Sequence, residues 1–572
     1  MKPIIECVPN FSEGRNPDVI NQIVNAIAGT RVGEDSVKVL NVDPGEATNR
    51  TVITFVGTVD AVLEAAFQGV KRAGEVIDMR HHHGAHPRSG ACDVLPLIPI
   101  AGITLEECGQ LARGLAERIF NELGIPCYCY EAAAFKPERR NLAVCRAGEY
   151  EALREKIADP ARKPDFGPDR FDETVAKSGA TNVGARNFLV AVNYNLNTTS
   201  TRRATAVAFD VREKGRPMRE GGSLTGKILK DADGKTVWQP GTLKGCKAIG
   251  WYIDEYRIAQ VSMNITDILA TPLHIAYEEV SRAAAARGLR VTGAEIVGLV
   301  PKSVLIDAGK FYLEKQQRSL GISEEEILKI AVKSMSLDDL KPFNPREKVI
   351  EYLMEDEREL AVKERLVRMT AKGFAEETAS ESPAPGGGSV SAYIGALGAA
   401  LGTMVANLSA HKRGWDDRWK EFSDWAEKGQ AVLKELLTLV DEDTAAFERI
   451  VEAFGMPKGN DEEKAARAAA IEDATLYASQ VPLRTMQVAS RVFEIVKAMA
   501  ETGNPNSVSD AGVGALAARA AVLGAELNVK INASGLQDKV RAESLIAEAG
   551  RIAEAACRAE TEILSIVNSK MN

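Results

Sequence analysis

The chain has 572 residues, 45% hydrophobic and 26% charged, with a formal net charge of −9. That length exceeds what one hydrophobic core serves, so several domains are expected, and the acidic balance argues against nucleic-acid binding through a global positive field. Eight cysteines without zinc spacing, behind an N-terminus with no long apolar run, read as free thiols in a cytoplasmic protein.

Over the first 340 residues strand and helix signals alternate. Ile4–Val8 reads as a short strand, and Pro17 opens a helix through Ala28 at a position where its missing N–H costs little. Val37–Val42 and Thr51–Val56 read as strands joined by a turn at Asp43-Pro44-Gly45. A helix from Val59 to Ile77 and a strand Val94–Ile100 complete a β-α-β-β-α-β order, extended by a helix Leu105–Leu123 and a strand Pro126–Tyr130. The order then recurs. Phe188–Leu196 is a strand, Thr199–Arg212 a helix, Cys246–Ile253 and Ile258–Ile265 a hairpin, Pro272–Arg287 a helix and Ala294–Val300 a strand. Two tandem ferredoxin-like βαββαβ subdomains, 1–186 and 187–340, are therefore expected, with a groove between their sheets as a natural ligand site.

After Pro345 the strand signals stop. A linker over 341–358 leads to an all-helical bundle domain, 359–572, rich in Ala, Leu, Glu and Lys, so the fold class is α+β followed by all-α. Ser389–Ala410 carries no charge over 22 residues, which is long enough to span a bilayer. Its Ala/Gly/Ser composition transfers weakly into lipid. Gly395, Gly398 and Gly402 suit close helix packing instead, and no membrane association is expected.

Four of the six histidines fall in His81-His82-His83-Gly84-Ala85-His86, followed by Pro87-Arg88-Ser89-Gly90. Histidine can take and give a proton near neutral pH. Three adjacent loop histidines are mostly solvated or fill turns, so at most one is expected to be essential. His86 is that candidate, because Pro87 restricts its backbone. A metal site at His82 and His86 would need one helical turn, which Gly84 and Pro87 oppose, and no metal is expected.

In the helical half, Leu436, Val440 and Phe447 lie on one stripe of a helix over 415–454, and Asp443 falls on the same face. Asp441 and Glu442 point elsewhere and read as solvated. A carboxylate on an apolar stripe is either ion-paired to a neighbouring helix or sits in a pocket with a shifted pKa. Pro385-Gly386-Gly387-Gly388-Ser389 opens a helix whose free N–H groups suit an anion, without the lysine of a P-loop. Ser507 or Ser509 reads as a helix cap.

Several motifs together resemble the glutamate formimidoyltransferase family: Glu6-Cys7-Val8-Pro9-Asn10-Phe11-Ser12-Glu13-Gly14, Asn49-Arg50-Thr51-Val52, Gly84-Ala85-His86-Pro87-Arg88, Pro164-Asp165-Phe166-Gly167-Pro168, Gly250-Trp251-Tyr252 and Pro342-Phe343-Asn344-Pro345. The Pro-Gly-Gly-Gly-Ser stretch and Val440-Asp441-Glu442-Asp443 resemble the cyclodeaminase domain. Over essentially the whole chain the resemblance is to the bifunctional formimidoyltransferase-cyclodeaminase family. It implies transfer of a formimino group from N-formimino-L-glutamate to N5 of tetrahydrofolate, then ring closure to 5,10-methenyltetrahydrofolate with loss of ammonia. A folate, in some cases polyglutamylated, is thus the co-substrate, with no metal, nicotinamide or flavin, in a homo-oligomer. By position, His86 corresponds to the transferase histidine, Asp443 to the cyclodeaminase carboxylate, and Gly167, Pro168 and Gly179 to the ends of a folate-contacting segment. There the chain departs from the family, with Lys177-Ser178 before the glycine. Asp43 is expected to orient His86, Arg50 and Arg88 to clamp substrate carboxylates, and Gly387 and Ser389 to contact the second substrate. Lys227, Lys230, Lys244 and Lys247 are expected to meet a polyglutamate tail. The alternative is a transferase whose helical half only dimerises or holds folate.

Overall fold

The computed structural model describes residues 2–46, 49–84, 87–168, 170–222, 226–354 and 364–571. They fall into two compact units, residues 1–304 with 335–354 and residues 305–334 with 355–572.

In the first unit, β1 (Ile4–Cys7) and its continuation β2 (Asn10–Phe11) run down the middle of a mixed sheet. On one side lie β4 (Arg50–Thr58) and then β3 (Lys38–Gly45); on the other lie β5 (Cys92–Ala101), β7 (Thr181–Ala185) and β6 (Cys127–Glu131). The pairs among β1 to β5 are antiparallel, whereas β5, β7 and β6 run parallel. Helices α1 (Pro17–Ala28), α2 (Val59–Val76) and α3 (Leu105–Leu123) share a core with one face of this sheet. Ile5, Cys7, Ile53, Phe55, Leu95 and Leu97 enter it beside Ile23, Ala65 and Ala112. Because strand side chains alternate, Glu6, Val8, Val52 and Thr54 point to the opposite face.

A second sheet has the order β9 (Cys246–Ile253), β10 (Ile258–Ile265), β8 (Val190–Leu196), β11 (Val291–Val297), antiparallel throughout. Helix α4 (Thr201–Val211) packs on β9 and β10, and α5 (Leu273–Ala285) on β8 and β11. Gly250 makes room for α4, since a Cβ there would stand 2.0 Å from the Thr205 nitrogen. Both sheets follow the same β-α-β-β-α-β order, and in both the first strand of the run sits between the third and the fourth.

Two details differ from the sequence expectation. Asp43-Pro44-Gly45 is the end of β3 rather than a turn, with Asp43 opposite Val52. Proline is tolerated there because β3 is an edge strand that leaves one row of donors unused. β7 is an unexpected strand, Thr-Asn-Val-Gly-Ala, buried throughout between two parallel neighbours, so it shows no apolar/polar alternation, and Asn182 and Gly184 interrupt an apolar run.

The second unit is helical. It begins with most of α6 (Lys302–Lys315) and with α7 (Glu324–Ser334), a pair the sequence assigns to the α/β half. The reason is a close approach at Gly321, where an added Cβ would lie 2.2 Å from that of Ala426. Leu320 N–H donates to Ser423 Oγ at 2.9 Å, and Asn407 Nδ2 donates to the Gly321 carbonyl at 2.8 Å. The remaining helices are α8 (Ala371–Thr378), α9 (Gly387–Ala410), α10 (Trp419–Gly455), α11 (Asp461–Ser490), α12 (Val492–Thr502), α13 (Val508–Ser534) and α14 (Lys539–Met571).

The uncharged helix α9 packs against α10, α12 and α13. Its glycines allow this, Gly395 resting on Ala521 and Leu436, Gly398 on Gly514, and Gly402 on Val496. Among the described residues two segments, 387–410 and 505–534, are long and apolar enough to cross a membrane, but half or more of each apolar window, 61% and 50%, is buried inside this unit. Of the stripe on α10, Leu436 and Val440 enter the core, while Phe447 is exposed, so the buried face ends before it.

Candidate active sites

Three segments distant in sequence meet at Asn49. Its side-chain Oδ1 accepts from Gly14 N–H at 3.0 Å, its Nδ2 donates to the His83 carbonyl at 3.0 Å, and its own carbonyl lies 2.9 Å from His82 Nε2. Asn49 is buried and holds a left-handed φ of 47°, a conformation asparagine tolerates better than most residues. Nearby, Ser12 Oγ donates to the Gly90 carbonyl at 2.8 Å, and Gly14 nestles against Gly45 and Arg50 with no room for a Cβ. The segments around residues 12, 49 and 82 are thus tied together by direct hydrogen bonds. Asn49 is absent from the sequence-derived candidates because its pattern there is that of an ordinary turn residue.

His86 lies outside the described residues, with Ala85. The flanks of the loop are informative. His82 is buried, both ring nitrogens are engaged, with Arg88 Nε 3.4 Å from Nδ1, and burial holds its pKa below the usual value. That pattern is a neutral imidazole bracing the loop, which leaves no lone pair for a metal. Arg88 is engaged within the chain. Its guanidinium bonds Glu149 at 3.1 Å, Glu151 at 2.9 and 2.6 Å, and the His82 carbonyl at 3.3 Å, so it anchors the loop internally.

Arg50 is half-buried, and its pKa is drawn down by burial and by Arg146, against the pull of Asp43 and Asp93. Asp93 pairs with Arg146 and accepts from Ser89 N–H at 2.9 Å, yet its near-complete burial raises its pKa. Arg146 and Asp93 were not recognised from sequence, where each looks like an ordinary surface charge. Gly179 has a left-handed φ of 68° and lies against Ser89 and Gly90, where a Cβ would stand 2.3 Å from the Ser89 carbonyl. Gly167 and Pro168 are at the other end of that segment, Gly167 packed on Pro164 and Pro126. Among the described residues, the Gly179 end is joined to Ser89 and Gly90 after the histidine loop, and Glu173 pairs with Arg80 before it.

Between the two sheets of this unit is a cleft of about 460 Å³, lined by Asp43, Val8, Val52 and Thr54 on one side and by Phe188, Leu189 and Val297 on the other. Glu6 and Arg186 also line it. Glu6 was missed as a candidate, although a charge among Ile4, Ile5, Cys7 and Val8 is a visible breach of apolar patterning.

The second site is simpler. Asp443 projects from α10 onto the start of α9, where its Oδ2 accepts from Ser389 Oγ at 3.1 Å and its carboxylate also accepts from the Ser389 backbone. Ser389 Oγ lies 3.2 Å from Thr444 Oγ1. Gly388 touches the carboxylate so closely that a Cβ would fall 2.1 Å from Oδ1. Gly387 adjoins Asn528. Free N–H groups and the positive end of the α9 dipole favour an anion here, so the glycine-rich helix start receives Asp443 itself. Burial nevertheless outweighs the Ser389 bonds and raises the Asp443 pKa, and no basic side chain contributes to the balance. Among the described residues no ion pair to Asp443 is found.

Its neighbours are not solvated as expected. Asp441 accepts from Leu366 N–H at 2.7 Å and Val367 N–H at 3.2 Å, and Glu442 accepts from Tyr477 Oη at 2.7 Å and pairs with Arg484.

Family models match residues 4–186 as a formiminotransferase domain, N-terminal subdomain, residues 191–355 as a formiminotransferase domain, and residues 370–551 as formiminotransferase-cyclodeaminase. The chain is 42% identical to the formimidoyltransferase-cyclodeaminase of Gallus gallus over 94% of both chains. It is 40% identical to that of Mus musculus over 96% of this chain and 97% of the relative. The chain belongs to the formimidoyltransferase-cyclodeaminase family. Its first half is also 41% identical to the glutamate formimidoyltransferase of Thermoplasma acidophilum, covering 54% of this chain and 92% of that relative. The histidine loop thus lies in a segment shared with a transferase that stands alone, and Asp443 in the segment matched to the cyclodeaminase model.

Proposed function

We infer that one chain carries both activities of its family. It transfers the formimino group of N-formimino-L-glutamate to N5 of tetrahydrofolate, then closes the product to 5,10-methenyltetrahydrofolate with release of ammonia. The observation that carries this reading is the end-to-end match to bifunctional relatives, which leaves neither site outside the alignment.

Amidine transfer passes through a tetrahedral carbon bonded to three nitrogens, and a proton must move from the attacking nitrogen to the leaving one. In our reading His86 moves it, since an imidazole can serve as base and then as acid near neutral pH. Asp43 orients that ring, Arg50 takes a substrate carboxylate, and Arg88 fixes the loop from behind. In the second step the bound species is an amidinium cation. Asp443 is the matching anion, and its raised pKa suits it to hand a proton to departing ammonia. Ser389 holds that carboxylate in place, Gly388 makes room for it, and Gly387 lets the substrate approach.

We further read residues 1–186 and 187–340 as ferredoxin-like subdomains around the folate cleft, 341–358 as a linker, and 359–572 as a helical bundle. The assembly is a cytoplasmic homo-oligomer. Lys227, Lys230, Lys244 and Lys247 are the basic groups offered to a polyglutamate tail.

Incubating the protein with formiminoglutamate and tetrahydrofolate, while following glutamate, ammonia and methenyl absorbance together, tests this function. Equimolar appearance of all three is expected. Glutamate without ammonia would favour a transferase with a silent helical half.

A further inference from the structure

Glu6 sits on the central strand of the first sheet, opposite Val56 on one side and Ile98 on the other, with its side chain on the cleft face. It is 2% exposed, and among the described residues none donates a hydrogen bond to its carboxylate. The nearest opposing charge is Arg186, which acts through space without a direct contact and leaves burial dominant, so that the carboxyl is pushed up to about 7. A valine would satisfy this strand position as far as packing is concerned. A buried acceptor pair aimed into a cavity, with no internal partner, is matched to a ligand that brings its own donors.

The shape and polarity of the cleft narrow the class. Val8, Val52, Leu189 and Val297 form opposed apolar walls, suited to the faces of a flat ring. Its charged groups besides Glu6 are Asp43, Arg186, Glu347 and Lys348, a mixed set rather than the cationic one a dicarboxylate such as formiminoglutamate would need. A carboxylate with two oxygens accepts best from two parallel N–H donors. The N3–H and 2-amino groups on one edge of a pterin ring have that spacing.

We propose that the Glu6 carboxylate binds the N3–H and 2-amino edge of the folate's pterin ring, with the ring lying between the apolar walls of this cleft. The proposal rests on the folate-dependent reading above, and gives the cleft a means of fixing which ring edge faces inward and which faces the reacting nitrogens.

The carboxylate form makes this contact, so affinity for tetrahydrofolate rises as pH increases through about 7 and binding releases a proton. Asp43, Arg186, Glu347 and Lys348 face the same space and Cys7 adjoins on the same strand, and all are kept in a Glu6→Gln variant. In the full chain, Glu6→Gln should weaken tetrahydrofolate binding roughly 10- to 100-fold, as expected for a lost charged hydrogen-bond pair. The same variant should lose the pH step, and the KM for formiminoglutamate should stay within about twofold. A tetrahydrofolate analogue lacking the 2-amino group keeps only N3–H for this contact, so it should lose less affinity in the variant than tetrahydrofolate does. Calorimetry on wild type alone, in buffers of different ionisation enthalpy, should show proton release with tetrahydrofolate and less with the analogue, whether or not the variant folds. Unchanged tetrahydrofolate affinity in Glu6→Gln, an equal loss for the analogue, a surviving pH step of the same size, or a rise only in the formiminoglutamate KM would each overturn the assignment. If wild type neither binds nor consumes tetrahydrofolate, the folate reading itself fails.

Discussion

The histidine-loop site draws on segments near residues 12, 49, 82 and 179, held by hydrogen bonds between loops, whereas the Asp443 site needs one helix face and one helix start. The first spreads its dependence over many partners that never touch substrate. The second concentrates it in a few atoms, where a single added methyl has nowhere to go. Rigid helices supply precision in the helical half, and in the α/β half the same precision must be assembled from backbone carbonyls and an asparagine.

The sharpest contrast is expected at Gly388. Gly388→Ala should place its Cβ on the Asp443 carboxylate and reduce ring closure about a hundredfold or more, the usual effect of an ångström-scale misplacement, while glutamate release stays normal. Measuring both products from one preparation checks it, and equal losses would dissolve the distinction between the sites.

Asn49→Ala should act in the opposite sense. It removes two buried hydrogen bonds at a left-handed residue, destabilising the α/β unit by about 3 kcal/mol and slowing transfer about tenfold. Ring closure of supplied 5-formiminotetrahydrofolate should be untouched. Denaturant titration beside the two assays separates these effects.

Ser389→Ala should have a gentler effect. A hydrogen bond to the charged form lowers a carboxyl pKa, so losing it raises that of Asp443 further. The acid limb of the ring-closure pH–rate profile then moves to higher pH, with at most about a tenfold loss on the plateau. A limb that stays in place would mean that the limb reports another group.

Smallest of all is Phe447→Ala, expected within about 0.5 kcal/mol of wild type because the side chain is exposed, whereas Leu436→Ala on the same helix should cost about 2–5 kcal/mol.

Much of this was legible in the chain itself. Periodicity located most long elements of the α/β half and the helical character of the rest, with single helices placed over 415–454 and after residue 385, and Asp443 was visible as a breach of an apolar stripe. Its partner was not, because the pairing of α10 with the start of α9 is a tertiary fact. The same limit hid Asn49, whose importance lies in carbonyls from other segments, and β7, whose burial on both faces erased the strand pattern. The partners of Arg88 were hidden for a related reason, since Glu149 and Glu151 lie some sixty residues away in sequence. The packing of the helix pair before residue 335 was not legible, because Gly321 carries no local sign that Ala426 lies against it.

The central claim, two separate sites performing consecutive steps on one chain, is tested most directly by Asp443→Asn in a single-turnover reaction of formiminoglutamate with tetrahydrofolate. Glutamate should appear at the wild-type rate while 5-formiminotetrahydrofolate accumulates, with methenyl absorbance suppressed about a hundredfold or more. Methenyl formation at the wild-type rate, or loss of glutamate release together with it, would contradict the account.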